Sequence, residues 1–73
     1  MNSREFGQIV KESRIAQGLR QAQLAAVAGV GLRFLIELEQ GKPTAQIGKA
    51  LQVLDALGGR ISITAPGASR RQP

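Results

Sequence analysis

Cysteine, histidine, tryptophan and tyrosine are absent from this chain of 73 residues, and phenylalanine occurs only twice. Without cysteine there is no disulfide and no thiolate metal site. Without histidine the commonest general base and the imidazole metal ligand are missing as well. Acidic residues are scarce, 5 Asp and Glu against 10 Lys and Arg, and they show no cluster; Asp55 reads as a lone, solvated acid. These absences argue against an enzyme: no catalytic residue, no metal, no cofactor and no small-molecule substrate are expected. No apolar run reaches the length of about 18 residues that spans a bilayer. The opening MNSREFGQ lacks the apolar centre of a secretory signal, so the expectation is a cytoplasmic protein without a membrane partner.

What is present is aliphatic and basic. Hydrophobic residues make up 42% of the chain, nearly all of them Leu, Ile, Val and Ala. A core built from so short a chain supplies roughly 3–5 kcal/mol of net stability, which makes oligomerisation the expected additional support. The net charge of +5 favours a polyanionic partner, nucleic acid before membrane or acidic protein.

Periodicity predicts helices. SREFGQIVKESRIA, residues 3–16, sets Phe6, Ile9, Val10 and Ser13 on one side, and Gly18 stops it. RQAQLAAVA, residues 20–28, is a short Ala-rich helix expected to bury Leu24, Val27 and Ala28, closed by Gly29. In GVGLRFLIELEQGK the apolar residues Val30, Phe34, Leu35 and Leu38 recur at helical spacing, while Arg33, Glu37 and Gln40 fall on the other side. That helix starts at Gly31 or Leu32 and stops at Gly41. AQIGKALQVLDALG, residues 45–58, is expected to bury Ile47, Ala50, Leu51, Leu54 and Leu57. Residues 20–28 and 32–40 are thus two short helices about a turn at Gly29, which should cross at about 90–120° as a helix-turn-helix. The second helix of such a pair lies in the DNA major groove. The GVG at 29–31 follows a helix, not a strand, and is no dinucleotide-binding turn.

RISIT, Arg60, Ile61, Ser62, Ile63 and Thr64, differs in kind. It alternates and is β-branched, a strand pattern. A lone strand leaves its backbone groups unpaired, so pairing with the same segment of a second chain about a two-fold axis is expected. The other reading is an extended tail packed on its own helices. Residues 65–73, with two Pro, Gly and Ser, read as disordered.

GLRQAQLAAVAGVGLRFLIELEQGKPT, residues 18–44, resembles the Xre family of lambda-repressor-like helix-turn-helix proteins, through Gln21, Leu24-Ala25, Gly29-Val30, Leu35, Leu38-Glu39 and Gly41-Lys42. GKPTAQIGKALQVLDALGGRISI, residues 41–63, is similar to the C-terminal half of HipB-type antitoxins. The resemblance implies an all-α domain of four to five helices over residues 1–59, a dimerisation strand at 60–64 and a disordered tail. It further implies a nucleoid-associated homodimer on a near-palindromic double-stranded operator, repressing its own operon and binding a HipA-type kinase toxin. Gln21 would lie close to a phosphate; Gly31, Leu32, Arg33, Ile36 and Glu37 would face the groove; Gln40 and Lys42 would meet backbone phosphate. Arg14 and Glu39 match a family ion pair that ties the first helix to the third. Arg20 and Gly31 depart from the family's Ser or Thr caps. Gly still serves as an N-cap; Arg20 does not, but its charge suits a phosphate.

Each groove residue also has a plainer account. Arg33 either reads guanine O6 and N7 or pairs with Glu37 one turn on. Glu37 accepts from cytosine N4 or orients Arg33. Leu32 and Ile36 meet thymine methyls, a protein partner, or water alone. Accordingly the alternatives are a stand-alone regulator without a toxin and, in another class, a protein-binding module that no longer reads DNA. Lys49 and Arg60 have no neighbourhood in the sequence that suggests a role.

Overall fold

A computed structural model describes residues 1–60 and 62 of the chain. The described residues form four α-helices and no strand: α1 (Ser3–Ala16), α2 (Gln21–Ala28), α3 (Leu32–Glu39) and α4 (Ile47–Ala56). Apart from Arg60 and Ser62, both exposed, the expected strand at 60–64 and the tail at 65–73 lie outside the described residues.

Asn2 opens α1. Its Oδ1 accepts the Glu5 N–H at 2.8 Å, and its own N–H donates to Glu5 Oε1 at 3.2 Å. This reciprocal capping box satisfies two donors that a helix start otherwise leaves unpaired. At the start of α2 only half of that arrangement exists. The Arg20 N–H donates to Gln23 Oε1 at 2.8 Å, but a guanidinium has no acceptor to return. α2 closes at Gly29 with φ 74°, a left-handed conformation that costs a side-chain-bearing residue energy. The chain turns there and bends by 114° between α2 and α3.

The core is aliphatic. Val10, Leu24, Leu35 and Val53 are fully buried, joined by Ala25, Leu38 and Ala50, with Phe6, Leu19, Phe34 and Leu57 packed around them. α1 lies on α3, and α2 lies between α3 and α4. The α1–α3 crossing is close because Gly7 has no side chain. A Cβ there would collide with the carbonyl oxygens of Leu38 and Glu39.

Four residues expected inside are outside. Ile9 is 42% exposed, Leu51 44%, and Val27 and Ile47 each 70%. Ala25 and Val53 take the buried places instead. The cause is the same in α2 and α4: each is apolar on more than one side, and the neighbouring helix alone determines which side is covered. α4 also starts later than expected, at Ile47 and not Ala45. Among the described residues no single helix is long and apolar enough to cross a membrane.

Candidate nucleic-acid interface

α3 carries two sets of charged groups, one turned inward and one outward. Inward, Glu39 is 8% exposed and Arg14 of α1 is 9% exposed. Arg14 Nε donates to Glu39 Oε2 at 2.7 Å and Nη2 to Glu39 Oε1 at 3.0 Å, a two-pronged pair that fixes orientation as well as distance. Arg14 Nη1 donates to the Leu19 carbonyl at 2.9 Å, and Gln21 Nε2 donates to Glu39 Oε1 at 3.1 Å. Three helices therefore meet at one carboxylate, and the α1–α2 turn is tied to the same joint through the Arg14 guanidinium. The bond to Glu39 raises the affinity of the guanidinium for its proton. No buried side-chain polar atom among the described residues lacks a partner.

Outward, Leu32, Arg33, Ile36, Glu37 and Gln40 line one shallow recess. They occupy the side of α3 opposite the buried Leu35 and Leu38. The Arg33 side chain is 92% exposed, and its Nε lies 3.5 Å from Glu37 Oε2. Lys42, beyond the helix, reaches back so that its Nζ is 3.0 Å from Glu37 Oε1. Glu37 thus holds Lys42 more closely than Arg33. The Lys42 hydrogen bond is the first cause that keeps the Glu37 carboxyl below the usual carboxylate range, and Arg33 adds to it.

A second recess adjoins the first, lined by Phe34, Glu37, Lys42, Thr44, Ala45, Gln46 and Lys49. Lys49 Nζ stands 5.7 Å from the centre of the Phe34 ring, within the range of a cation–π contact. Lys49 therefore has a neighbourhood that sequence reasoning missed. The only signal was an aromatic residue on the preceding helix, and it becomes informative only in space.

Other residues singled out from the sequence are placed apart from these recesses. Gln21 is half-buried and belongs to the inner joint. Arg20 is exposed and lines neither recess. Gly31 begins α3 with no side-chain cap, φ −69° and ψ 148°, and nothing lies within 4 Å of where its Cβ would be. Ile61, Ile63 and Thr64 lie outside the described residues. Among the described residues no group of three or more His, Cys, Asp or Glu is placed to hold a metal.

Two short helices at 114°, the second with a buried inner face and an open, cation-bearing outer face, are the features of a helix-turn-helix. A family model described as helix-turn-helix matches residues 10–63. The chain belongs to this family, and within it to the Xre type of regulators. It is also similar to the uncharacterized HTH-type transcriptional regulator y4mF of Sinorhizobium fredii (strain NBRC 101917 / NGR234). The two are 60% identical over 67 residues, which covers 92% of this chain and 88% of that protein.

Proposed function

We propose that the chain is a sequence-specific repressor that binds double-stranded DNA through the outer face of α3. One observation carries the reading. Arg33 extends from the outer face of α3, and Lys42, beyond the helix end, reaches back to the same face at Glu37, on a helix of the width a major groove admits. Arg33 is the base-reading residue, Leu32 and Ile36 offer apolar contact to thymine methyls, and Gln40 and Lys42 meet phosphate, with Lys49 beside them. Arg20 and the exposed start of α3 at Gly31 add backbone contacts. Phosphate neutralisation supplies most of the affinity, so binding falls steeply with salt.

The working form proposed is a homodimer joined through residues 60–64. Its two α3 helices would enter successive major grooves about 34 Å apart on a near-palindromic operator. Apolar surface left open on one domain supports this. Met1 and Ile47 stay largely exposed beside a groove that also includes Phe6, Pro43 and Ala45. Association with a HipA-type kinase rests on the resemblance of residues 41–63 alone. A stand-alone regulator accounts for the same geometry, and co-purification with a kinase encoded beside this gene separates the two. Leu32, 44% exposed beside the half-buried Ile36, is what favours the remaining reading, a module that binds protein and not DNA.

The test is titration of the upstream DNA fragment at two salt concentrations, with wild type and Arg33→Ala. Wild type should bind and weaken with salt, and the variant should lose about 1–3 kcal/mol and relax its preference at one base pair. A weak signal that does not respond to salt would indicate the protein-binding module.

A further inference from the structure

The outer face carries an acid where phosphate must come, and its position points to more than a helper for Arg33. Glu37 lines both recesses and, among the described residues, is the only carboxylate in either lining, beside Arg33, Lys42 and Lys49. It pairs with Lys42 at 3.0 Å and with Arg33 at 3.5 Å. In the free protein it therefore occupies, with carboxylate oxygens, the cations that phosphate oxygens would claim. We infer that Glu37 is a specificity-determining residue: an internal substitute for phosphate that holds Lys42 and Arg33 and yields them only opposite a base with an amino group on its major-groove edge. This inference rests on the DNA-binding reading above.

Exposed pairs of this kind are weak, so a phosphate can take Lys42 from Glu37. The carboxylate is then left in the groove without its closest partner. Only cytosine N4 and adenine N6 present donors there; guanine O6 and N7 and thymine O4 are acceptors. Opposite C or A the charge finds a hydrogen bond. Opposite G or T it faces acceptors between two phosphate backbones, and the original Lys42 pair is the better alternative. Such a residue favours one partner chiefly by opposing the others. Non-matching DNA is bound less tightly than the net charge alone would allow.

The experiment uses the full chain as wild type, Glu37→Gln and Glu37→Ala. Each binds a duplex of unrelated sequence between about 50 and 200 mM salt, and each selects sites from a randomised duplex pool. Both variants should bind unrelated DNA several-fold more tightly, with a salt slope steeper by about 0.9 for each cation set free. Wild type should select C or A at one position per half-site, on the order of tenfold over G or T. Glu37→Ala should select nothing at that position and keep the base that Arg33 reads. Circular dichroism checks that the variants fold; should the Ala variant lose helix, the Gln variant still reports affinity and slope. Unchanged affinity and slope for unrelated DNA, or an unchanged base preference, overturns the inference alone. A wild type that binds no duplex even at the lowest salt overturns the DNA-binding reading, and the inference with it.

Discussion

Glu37 and Glu39 flank Leu38 on the same helix, and each pairs with an arginine, yet their surroundings give the two pairs opposite properties. Glu39 is 8% exposed and fixed by Arg14 from two directions. Removing one partner of a buried pair leaves a charge that neither water nor protein compensates. Glu37 meets an Arg33 side chain that is 92% exposed, where water and salt compete for both partners. Exposed pairs contribute about 0–1 kcal/mol. The same chemistry therefore makes a fixed joint on one side of α3 and an exchangeable latch on the other. Helical phase determines which residue does which, because neighbouring odd-numbered positions fall on different faces.

The largest expected effect comes from breaking the joint. Glu39→Ala should cost about 3–5 kcal/mol, comparable with the whole stability of a domain this small, and should leave the chain largely unfolded in a urea titration. Gly7→Ala attacks the same contact from α1, by wedging a methyl against the Leu38 and Glu39 carbonyls. Overpacking of that kind costs about 1–3 kcal/mol, visible as a lower urea midpoint with an unchanged slope.

On the latch side the effects shift from stability to binding. Lys42→Ala should leave the melting temperature nearly unchanged, weaken binding chiefly to duplexes that carry C or A opposite Glu37, and reduce the salt slope on those duplexes by about 1. It should also move the Glu37 titration up toward the ordinary carboxylate range, as followed by carboxyl NMR. The sign is fixed by the direction of the shift. A carboxyl held low by Lys42 contributes stability above the usual carboxylate range and loses it as pH falls through its own titration. The smallest effect is Gly31→Ser. The site has room and an ordinary φ, so a hydroxyl cap should add a few tenths of a kcal/mol in the same urea assay.

The split between joint and latch also marks what was legible in the sequence. The α3 pattern is readable in part: Leu35 and Leu38 share the inner stripe and Arg33 and Glu37 the outer one, although Leu32 and Ile36 also face outward and Glu39 inward. α4 was not readable in that way. IGKALQVLDA offers one apolar stripe through Ile47 and Leu51 and another through Ala50 and Val53, and the chain alone does not say which meets α2. Val27 in α2 is exposed for the same reason. The Lys42–Glu37 contact escaped because it joins residues across a helix end, where neither the three- nor the four-residue spacing of helical pairs applies. Family resemblance pointed to Arg14 and Glu39; no local pattern connects residues so far apart in the chain.

One consequence of the inner joint concerns the duplex more than the protein. With α1 and α2 bonded to Glu39 and the α1–α2 turn bonded to Arg14, α3 would have little freedom to tilt or slide on entering, as proposed, a groove of imperfect width. The adjustment would then fall to the double helix, whose willingness to bend or narrow depends on its base steps. Base pairs that no side chain reaches would in this way still help to decide where the regulator settles.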